Sequence, residues 1–316
     1  MTALPRAGEL AGDDGRAGAT SGGGRGGGRG SRVVRRFVGS LPLRAVVILV
    51  TVAWSLPTAG LLISSFRPAD AIRTSGWWEA ILHPFEAATQ WTLANYEAVL
   101  SADGMAGAFI NSLVVTIPSV VIPITMAAYA AYAFAWIRFP GRSLLFAVVV
   151  GLLVVPLQMS LVPVLRMYSA VDLNGTFLGV WLAHTGFGLP LAIFLLYNYI
   201  SQLPVDLFES AAIDGASHFQ VFRRIVVPLS VPALASFAIL QFLWIWNDLL
   251  VALVYLGTTD AVAVMPARLN ELVGTRGEAW HILTAGAFVT MVVPLLVFLG
   301  LQRYFVRGIV AGSVKG

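Results

Sequence analysis

The chain has 316 residues, of which 58% are hydrophobic and only 11% charged, with 20 basic against 16 acidic side chains and no cysteine. Soluble domains carry about a quarter of their residues as charge, so a soluble globular fold is excluded and an all-α integral membrane protein is expected. Without cysteine, disulfides and thiolate metal sites are excluded as well.

In chain order, residues 1–43 come first, rich in Gly and Arg, with GGGRGGGRG from Gly22 to Gly30. They hold too few apolar groups to offset the entropy of ordering, and a disordered cytoplasmic tail is expected. Arg-Gly tracts do bind RNA, but no aromatic side chain interleaves this one, and no nucleic-acid partner is expected. Residues 44–316 then carry six apolar runs long enough to span a bilayer: Ala45 to Phe66, Ala108 to Trp136, Ser143 to Leu165, Thr176 to Tyr199, Leu229 to Leu256 and Ile282 to Gln302. The first is too long for a signal peptide and lacks a small-residue cleavage site. After it, the long loop from Arg67 to Gly107 carries Trp77, Trp78, Trp91 and Tyr96 among carboxylates, a composition suited to the membrane interface or to an external protein. Pro118, Pro123, Pro156, Pro163, Pro190 and Pro294 are expected to kink their helices. The fifth span is expected to begin late, at Pro228 or Pro232. Asp248 is the only Asp, Glu, Lys or Arg within the six runs.

Basic residues set the orientation, because Lys and Arg are retained on the cytoplasmic side. Of the 20 basic residues, all but Arg67, Arg73, Arg166, Arg268 and Arg276 lie before the first run or after even-numbered ones. Both termini and the loop of about residues 201–228 are therefore expected to be cytoplasmic, with the tail 303–316 ending the chain. Lys315 is the only lysine, and no GxxxxGK phosphate loop exists around it. The chain cannot hydrolyse ATP by that motif. His83, His184, His218 and His281 share no metal-ligand spacing, so no metal and no catalytic residue is assigned.

The most informative stretch is ESAAIDGASHFQVFRRIVVP, Glu209 to Pro228. Pro204 suits a helix start, and Asp206 and Glu209 place negative charge in the first turn, so a short helix is expected from about Val205. Gly215 can take the left-handed conformation that stops it. Ser217 and Gln220 then form the pattern of a capping box, opening a second short helix that should end near Arg223. Ala211, Ala212 and Ala216 keep the bend thin, while Phe219 and Phe222 add apolar area.

This stretch resembles the EAA loop of bacterial ATP-binding-cassette importer permeases, with Glu209, Ala211, Gly215, Ile225 and Pro228 on the family's pattern, Ser210 in place of Ala and Val227 in place of Leu. SFRP at Ser65 to Pro68, NYEAVL at Asn95 to Leu100, WNDLLVAL at Trp246 to Leu253 and the terminus QRYFVRGIVAGSVKG resemble the maltose-type second permease of carbohydrate importers. The resemblance covers about residues 44–316. It implies the six-helix type I importer permease fold and a multi-pass protein of the bacterial cell membrane.

The resemblance also implies the partners: a second permease, two ATPase subunits that hold ATP and Mg, and an external sugar-binding protein. This chain would bind no cofactor itself. Glu209, Ser210, Ala211, Ala212, Asp214, Gly215, Ala216, Phe219, Arg223 and Arg224 would couple to the ATPase, and the tail at Gly312, Ser313, Val314 and Lys315 would approach it. Gln158, Gln241, Trp244, Trp246, Asn247 and Asp248 are candidates for the sugar pathway, aromatic faces stacking on sugar rings and polar groups bonding hydroxyls. An ion-coupled carrier is the alternative class, though such carriers place several ionisable groups in the membrane and this chain places one. A polytopic membrane enzyme is a remote third.

Overall fold

The computed structural model describes residues 28–84, 91–102, 104–272 and 279–313, with side chains from 42 to 303 within those ranges. The described residues form fourteen α-helices and one π-helical segment, with no strand among them. The chain divides into two compact units, Met1–Pro57 and Thr58–Gly316.

Helix α1 (Gly28–Ser65) contributes the described part of the first unit, and its apolar stretch runs from Pro42 to Ser65. In the second unit α2 (Ala69–Thr74), α3 (Glu79–Leu82) and α4 (Ala94–Ser101) build the loop after it. The stretches SFRP and NYEAVL are joined there. Asn95 Nδ2 donates to the carbonyls of Ser65 at 2.9 Å and Arg67 at 2.8 Å. Ser65 Oγ and the Tyr96 hydroxyl lie 2.7 Å apart. Arg67, only 1% exposed, donates to the Ala71 carbonyl and to Ser75. Burial pulls the Arg67 guanidinium down from its ordinary pKa, with the Glu79 charge acting against the shift.

Among the described residues, five helices are long and apolar enough to cross a membrane: α1, α5 (Met105–Trp136), α8 (Phe177–Ile200), the continuous run from His218 to Trp246, and α14 (Trp280–Ser313). A bent pair, α6 (Arg142–Leu152) and α7 (Leu157–Ala170), which meet at 103°, makes a sixth apolar segment of spanning length when taken together. The expected single span from Ser143 to Leu165, kinked at its prolines, is therefore corrected to two pieces. Pro156 opens α7 in extended backbone, since a proline drives the residue before it out of helical geometry and supplies no amide to continue the ladder.

Two larger apolar clusters hold the second unit together. One joins Val115 and Val120 of α5, Val180 and Ala183 of α8, and Phe242, Ile245 and Trp246. The other joins Ala127, Ala131 and Phe134 of α5 to Leu196 and Ile200 of α8 and to Ala211, Val221, Phe222 and Val226 of the polar loop. That loop is thus built onto the C-terminal ends of α5 and α8 and has its own place in the core. Small residues make the approach close. Gly188 of α8 faces Gln241, and a Cβ there would stand 2.5 Å from Gln241 Nε2.

Candidate functional site

The loop between α8 and the fifth crossing forms as its residues dictate. Pro204 precedes α9 (Val205–Ile213), with Asp206 in the first turn. Gly215 stops it at φ +71°, its amide donating to the Ala212 carbonyl at 3.1 Å, and Ala216 N donates to the Ala211 carbonyl at 2.9 Å. The capping box closes on both sides: Gln220 N donates to Ser217 Oγ at 3.3 Å, and Ser217 N to Gln220 Oε1 at 2.8 Å.

The second short helix does not end near Arg223, nor does the fifth crossing begin late at Pro228 or Pro232. Helix α10 (His218–Val221) runs through a π-helical turn (Phe222–Val226) into α11 (Val227–Trp246) without a break. The wider turn has a physical cause. Pro228 lacks an amide and its ring would press on the carbonyl four residues back, and a π turn just before it relieves that crowding while Val227 N donates five residues back, to Phe222.

On the loop surface Glu209, Ser210, Ala212, Asp214, Gly215, Phe219, Arg223 and Arg224 are exposed, Ala216 is half-buried, and Ala211 is buried. A Cβ on Gly215 would meet nothing within 4 Å, so the bend stands clear. Ile213 is 87% exposed and Phe219 59%. Ile213 was missed by the sequence reading. A signal existed: two residues along a helix is about 200°, so a residue two past the buried Ala211 faces away from the core.

The second candidate region breaks where a continuous span was expected. Helix α11 stops at Trp246, and α12 (Leu250–Tyr255) restarts after Asn247, Asp248 and Leu249, so the run to Leu256 is corrected to two helices. Asp248 Oδ2 accepts from Val251 N at 3.0 Å and Ala252 N at 3.2 Å, which makes it the cap of α12. His184 Nε2 of α8 lies 3.8 Å from the same oxygen, and His184 is 1% exposed with no hydrogen-bond partner for Nδ1 among the described residues. The sequence reading did not place His184 here. An Asp two residues before a restarting apolar helix was the available signal for the cap. Beyond α12, the segment leading into α13 (Met265–Leu272) is pinned to α5, Asn111 Nδ2 donating to the carbonyls of Ala261 and Ala263, and Met265 N to Ser112 Oγ.

The six pathway candidates separate. Trp244 and Asn247 are exposed beside Asp248, with the Trp244 ring edge-on to His184 at 5.5 Å. Trp246 is a core residue in this structure: it is 2% exposed, stacks on Phe242, takes Phe109 against its edge, and donates Nε1–H to the Thr290 carbonyl at 3.0 Å. It therefore has no ring face open to a solute. Gln241 is 3% exposed and faces Gly188, inside the α8–α11 contact. Gln158 stands exposed at the start of α7, just past the bend.

Residues 104–311 match the family described as the binding-protein-dependent transport system inner membrane component. The chain belongs to that family.

Among related importer permeases, the chain is 60% identical to an osmoprotective compounds uptake permease of Synechocystis sp., over 88% of this chain and 93% of that one. It is 46% identical to an α-glucoside transport system permease of Rhizobium meliloti, covering 85% and 96%. A solved bacterial transporter that imports the acidic polysaccharide alginate shares the fold, with a TM-score of 0.68 at 18% identity over 90% of this chain and all of that one. This permease is a multi-pass membrane component of an ATP-binding-cassette importer and not itself an enzyme. Membership sets aside the ion-coupled carrier and the membrane enzyme. The permease tail bears on no contact here: Gly312 and Ser313 end α14 with side chains outside the described residues, and Val314 and Lys315 lie outside them altogether.

Proposed function

We propose that this permease carries a small neutral α-glucosidic solute into the cell, working with a second permease, two ATPase subunits and an external binding protein. The observation that carries the coupling half of this reading is the free bend of the loop. Ile213 and Phe219 stand exposed on either side of Gly215, ringed by Asp206, Glu209, Asp214, Arg223 and Arg224. Burying such an Ile and Phe in a partner's cleft contributes about 1.5–3 kcal/mol each. The charged ring orients the docking, and an ATPase gripping this bend would move the helices built onto it. Both termini and the loop then lie in the cytoplasm, as the distribution of basic residues favours.

The cargo half rests on chemistry and kinship. One relative is named for osmoprotective compounds and another for α-glucosides, and an α-glucosidic osmoprotectant satisfies both names. Trp244 offers an exposed indole and Asn247 an exposed amide beside Asp248, groups suited to a sugar ring and its hydroxyls. We expect vesicles holding the complete importer to accumulate labelled trehalose on ATP addition, with unlabelled α-glucosides competing and alginate oligomers not. Uptake of glycine betaine without uptake of any α-glucoside would overturn the assignment of cargo.

A further inference from the structure

Motion given to the coupling loop has two routes into the membrane. One follows the chain into α8 and α11, which flank the loop; the other crosses side-chain contacts, and it leads to α5. Tyr129, Tyr132 and Trp136 succeed one another at steps of three and four, so they share one face of that helix. Each meets a different part of the loop. Trp136 stacks on Phe208 of α9, centroids 3.6 Å apart and planes 15° apart, and its Nε1–H donates to the Ile200 carbonyl at 3.0 Å. The Tyr132 hydroxyl lies 3.0 Å from Nδ1 of His218, the first residue of α10. Tyr129 stacks on Phe222, in the π turn, at 4.2 Å and 23°.

We propose that this aromatic stripe is a mechanical link that makes the inner part of α5 travel with the coupling loop. The covalent chain reaches the loop from α5 only through α6, α7 and α8, and the stripe adds directional aromatic contacts to the apolar packing of α5 on α8 and the loop. Pro118 and Pro123 lie in the same helix, on the far side of the stripe from the loop. Each removes an amide from the ladder, which gives the helix a place to flex between its driven inner part and the outer part pinned through Ser112 to Met265. Tyr129, Tyr132 and Trp136 are positioning residues, acting through the loop. The inference rests on the reading that an ATPase grips the loop, and its test is chosen to separate the two.

The chain has no cysteine, so spin labels can be placed one pair at a time. We would label Met126→Cys on inner α5 and Leu299→Cys on α14, both 48% exposed, in the complete importer, and measure their separation with and without a non-hydrolysable ATP analogue. The distance should change with nucleotide in the parent. Losing an aromatic stack weakens such a contact by roughly tenfold, and the change should vanish in W136L/F208L while the ATPase still copurifies. Exchanging the partners, W136F/F208W, should restore it, which a general loss of stability would not. A nucleotide-dependent change that persists unaltered in W136L/F208L overturns the link. Should that pair fail to assemble, Tyr129→Leu makes the same test at the Phe222 contact. A parent that never retains the ATPase overturns the docking of the loop instead.

Discussion

Gly215→Pro is expected to abolish uptake while leaving the permease inserted in the membrane. Gly215 holds φ at +71°, and proline fixes φ near −65°, so the bend cannot form with proline in it. The substitution also removes the amide that donates to Ala212. What is lost is the turn that joins α9 to α10, with Ile213 and Phe219 exposed on either side of it. Gly215→Ala is the graded control. Its Cβ meets nothing within 4 Å, so it should bear only the left-handed backbone cost of about 1 kcal/mol and keep most of the uptake. Measuring uptake and ATPase retention side by side decides the matter. Normal uptake by Gly215→Pro would mean that the bend is not what the ATPase grips.

Asp248→Leu is expected to destabilise the permease by about 2 kcal/mol, because two amides of α12 lose their acceptor where water cannot replace it. Those amides belong to Val251 and Ala252, and the same change leaves His184 Nε2 without its neighbour. Asp248→Asn keeps an oxygen at the cap, so it should unfold close to the parent. Any change it brings in uptake kinetics then reports on the pathway beside Trp244 and Asn247. Thermal unfolding of the detergent-solubilised importer, followed for both variants, separates the roles. A leucine variant as stable as the parent would remove the cap from the account.

These expectations stand on features that the sequence revealed unevenly. The loop after α8 was legible almost residue by residue, because its signals are local: Pro204 before a helix, Gly215 at the stop, Ser217 and Gln220 three apart. The continuation through the π turn was not, since Pro228 reads as a helix start and only the widened turn before it shows otherwise. Apolar runs located the crossings, Pro156 marked a kink without showing that it is a full break, and nothing marked the break at 247–249. Hydrophobicity is the same on either side of a bend, so composition has nothing to say about backbone direction. The same blindness made Trp246 a pathway candidate. Its neighbour Trp244 is exposed, yet Trp246 stacks on Phe242 one turn back and turns to meet Phe109 and Thr290, partners that lie far off in the chain. His184 escaped notice for a similar reason, being paired with a carboxylate 64 positions on.

The central claim is that this permease is moved by ATP hydrolysed on other chains. Purified permease alone in sealed vesicles, compared with the complete importer under the same solute gradient, tests it most directly. Only the complete importer should accumulate solute uphill, and only when ATP reaches the side that bears the coupling loop. Uphill accumulation by the permease alone, driven by an ion gradient, would contradict the account.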